Sequence, residues 1–200
     1  MRALAMLVLA AAGAAAQTPQ GSVLPERLAP ETRAALTRLA DSARAAGLPA
    51  EPIVAKAAEG VLKGADDARI LKAARSLVAE LGAARLALPG ASASVLTAAA
   101  SALHAGATPR LVRDLREAAS ARGNGRDRDA DLAVALISVA DLAASGVQAE
   151  RAGSAISQLL RRGAPEAEIT AFRAGVARDI SEGAGPEQAL SARMRGRPTP

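Results

Sequence analysis

The chain has 200 residues, half of them apolar, with 25 Lys and Arg against 20 Asp and Glu for a formal charge of +5. That length suits one domain with its own core and excludes two large ones. With no Cys and a single His, disulfides, a Cys nucleophile and a pair of His ligands on a metal are excluded as well.

The chain opens MRALAMLVLAAAGAAAQ, a short positive start, an apolar run and Ala14-Ala15-Ala16 before Gln17. This is the layout of a secretory signal peptide over residues 1–16, and the apolar run is shorter than the roughly 20 residues a spanning helix needs. The expected mature chain begins near Gln17, lies outside the cytoplasm (periplasmic or secreted) and has no integral membrane span. Losing Arg2 with the signal lowers the formal charge from +5 to +4. Residues 17–29, QTPQGSVLPERLA, have Pro and polar residues without a period and read as a flexible lead-in.

From Pro30 the apolar spacing is helical, and no alternating stretch argues for strands. The predicted helices are 30–46, 51–63, 66–88, 91–105, 109–121, 129–145, 149–162, 165–182 and 186–195, with a loose tail over 196–200. Ile70, Ala74, Leu77, Val78 and Leu81 share one helix face, as do Ile169, Phe172, Val176 and Ile180. Phe172 is the only Phe, Tyr or Trp, so the core must be built from Leu, Ile, Val and Ala, with backbones in close approach. The fold class is therefore all-α: eight or nine short helices, with antiparallel hairpins stacked as a bundle or a short α-solenoid over residues 30–195.

The breaks share one pattern: AAGLPAE, LKGADDA, HAGATPR, ASGVQAE, RRGAPEA and SEGAGPE. Gly just past a helix takes up positive φ without a Cβ clash, and the apolar residue after it packs back on the last turn. Pro or an acidic residue beyond it suits the next first turn. Gly47 and Gly64, Gly106 and Gly123, and Gly146 and Gly163 are each 17 positions apart. Ile70 matches Ile169, Leu77 matches Val176 and Leu81 matches Ile180 at equal offsets, so an internal repeat is expected. Gly60, Gly82, Gly153 and Gly175 fall inside helices, where Gly costs about 0.8–1 kcal/mol relative to Ala, and are expected to mark close helix crossings.

The reactive inventory is thin. His104 falls in the last turn of a helix, where the dipole and open carbonyls account for it. Asp127, Asp129 and Asp131 begin like a calcium loop, but Leu132 and Ser138 stand where the motif needs Gly and Glu. No catalytic, cofactor-binding or metal-binding residue is assigned. Lys56, Glu59 and Lys63 stand three and four residues apart on one helix face and are the candidate interaction face. Absent aromatic platforms and mixed charges argue against nucleic acid, while RMRGRP and Arg161-Arg162 allow weak contact with an anionic surface.

These readings point to an exported, non-catalytic interaction or scaffolding protein with an unidentified protein partner. A carboxylate-dependent envelope hydrolase is the alternative, requiring two poorly solvated carboxylates roughly 5–9.5 Å apart in a cleft. A basic protein adhering to anionic membrane is a third reading.

Overall fold

The computed structural model describes residues 24–121 and 128–196. Among these the protein is all-α: α1 (Pro30–Ala45), α2 (Glu51–Leu62), α3 (Asp67–Ala87), α4 (Ala93–His104), α5 (Pro109–Ser120), α6 (Arg128–Ala144), α7 (Ala149–Arg161), α8 (Glu166–Ser181) and α9 (Pro186–Met194). The expected signal peptide over 1–16, the first part of the lead-in, Gly123, Asp127 and most of the tail lie outside the described residues.

The corners form as the sequence dictates. Gly47, Gly64, Gly106, Gly146, Gly163 and Gly183 all have positive φ, between 70° and 105°. At each of them the residue after Gly donates its N–H to a carbonyl five residues back, as Leu48 does to Ala43 at 2.8 Å and Ala164 to Leu159 at 3.0 Å. That bond satisfies a carbonyl the helix end leaves open and turns the chain sharply. Leu48, Ala107, Val147 and Ala164 are buried, so the apolar residue does fold back. Asp66 and Thr108 supply side-chain caps, accepting from the N–H of Arg69 and Leu111.

Hydrogen bonds join the start of α1 to that of α3, the start of α5 to that of α7 and the start of α7 to that of α9. Asp67, at the start of α3, accepts from the Ala29 N–H just before α1 at 2.9 Å. At the other end Arg85 of α3 donates to the Ala46 carbonyl just after α1. Glu150 of α7 accepts from the Thr108 hydroxyl before α5 at 2.7 Å, and Glu187 of α9 from the Gln148 N–H before α7 at 2.9 Å. Each intervening helix must therefore bring the chain back.

Two rows result. One runs α1, α3, α5, α7, α9, each packed on the next, and the second contains α4, α6 and α8 in the same fashion. The rows bury their shared face, where Leu36, Leu81, Leu115, Leu136, Leu142, Ile156 and Ile169 are fully enclosed among many alanines. Burying each such side chain contributes about 1.5–3 kcal/mol, an Ala much less, so the core depends on number and closeness rather than on bulk.

Closeness is visible at the helix-interior glycines. A Cβ on Gly153 would come within 2.4 Å of Leu111, on Gly60 within 2.6 Å of Ile70, and on Gly175 within 2.9 Å of the Arg193 guanidinium. Gly82 is the exception, with nothing within 4 Å.

Two expectations need correction. The lead-in is not loose to its end: Leu28 is only 2% exposed and belongs to the core, so ordered packing begins before Pro30. The 17-residue spacing joins units that are not packed alike. The first pair it matches, α2 and α3, pack on each other, whereas α7 packs on α5 and α6 and α8 on α6 and α9. The spacing is one of corners, not of equivalent neighbours.

Candidate functional site

The second row is incomplete at its start, because α2 does not join α4 as α4 joins α6. The sequence of α4, ASVLTAAASALH, explains what is left between them. It spends Val95, Leu96 and most of its alanines on the core and turns Thr97, Ser101 and His104 outward. Such short side chains leave the surface recessed.

A groove of about 900 Å3 lies there. Glu51, Pro52, Ala55, Lys56 and Glu59 of α2 line one side, and Ala140, Asp141 and Ala144 of α6 line another. Ala73, Leu77 and Glu80 of α3 join Thr97, Ser101, His104 and Ala105 between them. Apart from Leu77 and Pro52, the apolar lining is alanine throughout.

Lys56, Glu59 and Lys63 do meet. Lys56 Nζ donates to Glu59 Oε2 at 2.9 Å and Lys63 Nζ to Glu59 Oε1 at 2.5 Å. The bonds from Lys63 and then Lys56 hold the Glu59 carboxyl down to about 2, so it stays ionised and cannot serve as a general acid at ordinary pH. Lys56 and Glu59 line the groove, whereas Lys63 braces Glu59 from outside the lining.

His104 ends α4 as expected, and its Nδ1 stands 2.8 Å from Glu80 Oε1. Glu80 also accepts from the Ser76 hydroxyl at 3.1 Å and is the less open partner, its side chain 18% exposed against 69% for His104. Asp141 pairs with Arg173 of α8 at 2.5 Å. Glu51, in the first turn of α2, has no ion-pair partner among the described residues. The hydroxyls of Thr97 and Ser101 donate to backbone carbonyls one turn earlier, at 2.8 and 3.2 Å, which leaves their oxygens able to accept.

Sequence reasoning singled out Lys56, Glu59 and His104 but missed Glu80, Thr97, Ser101 and Asp141 as their companions. These come from helices far apart in the chain. The one available signal was the run of small residues in α4.

Elsewhere, Asp129 and Asp131 sit in the first turn of α6. Among the described residues no group of three or more His, Asp or Glu is placed to hold a metal ion. The basic run at the carboxy terminus is partly committed inward. Arg193 Nε and Nη2 donate to both oxygens of the buried Asp179 at 2.6 and 2.5 Å, and that carboxylate raises the Arg193 pKa further. Gly175 provides the room for the guanidinium. Among the described residues no helix is long and apolar enough to cross a membrane.

No protein-family model, curated protein or solved structure matches this chain.

Proposed function

We propose that the protein is an exported, non-catalytic helical scaffold that holds a segment of a protein partner in the groove between α2 and α6. The observation that carries this reading is the recessed, alanine-lined hollow of about 900 Å3, walled by α2, which packs on α1 and α3, and by α6, which packs on α4, α7 and α8. Rigid walls mean that little ordering cost is incurred on binding, and alanines let a partner's backbone or a large side chain come close. Stacked helices commonly present such extended faces. The signal-like leader supports an extracytoplasmic location, which the size of the secreted mature chain would test.

Filling the groove tests the reading. Ser101 is exposed on α4, so Ser101→Trp leaves the core intact while occupying the hollow. Photocrosslinkers placed at Ala55 and, as a control, at Leu86 on another face of α3 report the neighbours in intact cells. We expect a discrete adduct from Ala55 only, lost in Ser101→Trp although the helical circular dichroism is unchanged. Adducts from both positions, or an Ala55 adduct that survives Ser101→Trp, would overturn it.

A further inference from the structure

We infer that the groove takes a cationic amphipathic segment, one that sets bulky apolar side chains against Leu77 and the surrounding alanines and Lys or Arg against the rim. The inference rests on the groove being a partner site and adds the chemistry of the partner.

Charge is the first argument. Over the whole sequence basic residues outnumber acidic ones, 25 to 20. In the groove the balance reverses: Glu51, Glu59, Glu80 and Asp141 line it with Lys56 as the sole Lys or Arg. Two of those carboxylates already have cations inside the protein, Glu59 with two lysines and Asp141 with Arg173. The other two do not. Glu51 has no ion pair among the described residues, and Glu80 is met only by a hydroxyl and the His104 imidazole. They come from α2 and α3 and both line the groove, where an incoming ammonium or guanidinium finds a ready partner. Glu80 is the more shielded of the two, so a cation reaching it is less screened by water.

Shape is the second. The apolar lining consists of Leu77, Pro52 and alanines, which create depth but little reach. The occupant must then bring the large side chains itself. An apolar ridge flanked by basic residues is how an amphipathic helix enters a groove, with anchors at three-and-four spacing. The hydroxyl oxygens of Thr97 and Ser101 add acceptors for a donor-rich occupant, and the lining supplies few donors to an acidic one.

The test uses the mature chain and three synthetic peptides with the same Leu ridge at helical spacing, their polar faces made of Lys, Gln or Glu. Binding is read by fluorescence anisotropy and calorimetry at low and raised salt. The Lys peptide is expected to bind saturably, one per chain. Its affinity should weaken roughly tenfold in the double variant Glu51→Gln, Glu80→Gln, weaken with salt, and disappear in Ser101→Trp. Lys-peptide binding that ignores both variants is adhesion to the general surface and overturns the inference. A Gln or Glu peptide that binds better than the Lys peptide, and is blocked by Ser101→Trp, overturns the charge assignment while the groove reading stands. Failure of all three peptides also overturns it, and the groove reading is then judged by the Ala55 adduct alone. Sedimentation that shows the wild type as a dimer, made monomeric by Ser101→Trp, assigns the groove to a second copy and overturns the inference.

Discussion

Glu59 shows how much a single charged residue contributes here. Lys63, just past the end of its helix, and Lys56 within it hold its carboxyl near 2 instead of the usual 4.5. A carboxyl whose pKa is lowered by folding adds stability above its unfolded pKa, and that gain fades as pH drops from about 4.5 toward about 2. The side chain is 41% exposed, so water and salt screen the pairs and each contributes about 0.3–0.5 kcal/mol. Glu59→Gln is therefore expected to reduce the unfolding free energy by about 1 kcal/mol or less at neutral pH, and not at all near the lower limit. Urea unfolding at the two pH values checks this, and an equal deficit at both would contradict it. The pairing itself was readable from the spacing KAAEGVLK, because residues three and four apart on a helix are neighbours. What faced the pair was not readable, since Glu80 and His104 reach the same groove from other helices.

At the scale of the helix, the interior glycines separate into two kinds that look alike in sequence. Gly153 faces Leu111 so closely that an added methyl must displace packed core, and Gly153→Ala is expected to cost about 1–3 kcal/mol. Gly82 has open space around it and a helical backbone, so Gly82→Ala is expected to stabilise by about 0.5–1 kcal/mol through helix propensity and a less disordered unfolded chain. Thermal or urea unfolding of the two variants should shift in opposite directions, and destabilisation by Gly82→Ala would refute the open surroundings at that site. Helix existence and ends were legible because glycine corners and three-and-four periodicity are local signals. Leu28 was misjudged because Pro25 and polar neighbours leave the apolar residues of the lead-in without a readable period. The 17-residue repeat misled because corners recur without the same helices meeting across them.

For the molecule as a whole, stability is passed between neighbours rather than gathered in one centre. α4 and α6 form the most extensive pair and have helices on several sides, while α9 rests chiefly on α8. In hydrogen exchange followed by mass spectrometry, α4 and α6 should protect their amides longest and α9 should exchange first, as expected of stacked units. Uniform protection across all the helices would speak against this. The all-α class and the order of helices were legible from periodicity alone. The groove was not, because it arises where α2 and α4 fail to pack as closely as α4 and α6 do.

The carboxylates that reach back from one helix to the start of the helix before last carry a consequence for biosynthesis. Ala29 waits for Asp67, Thr108 for Glu150 and Gln148 for Glu187, spans of 38, 42 and 39 residues. A chain emerging from its amino end therefore cannot close any of these junctions until about two more helices have followed. At these three junctions assembly has a direction and a lag of about two helices, and an interruption within that span leaves the earlier helix start open to water.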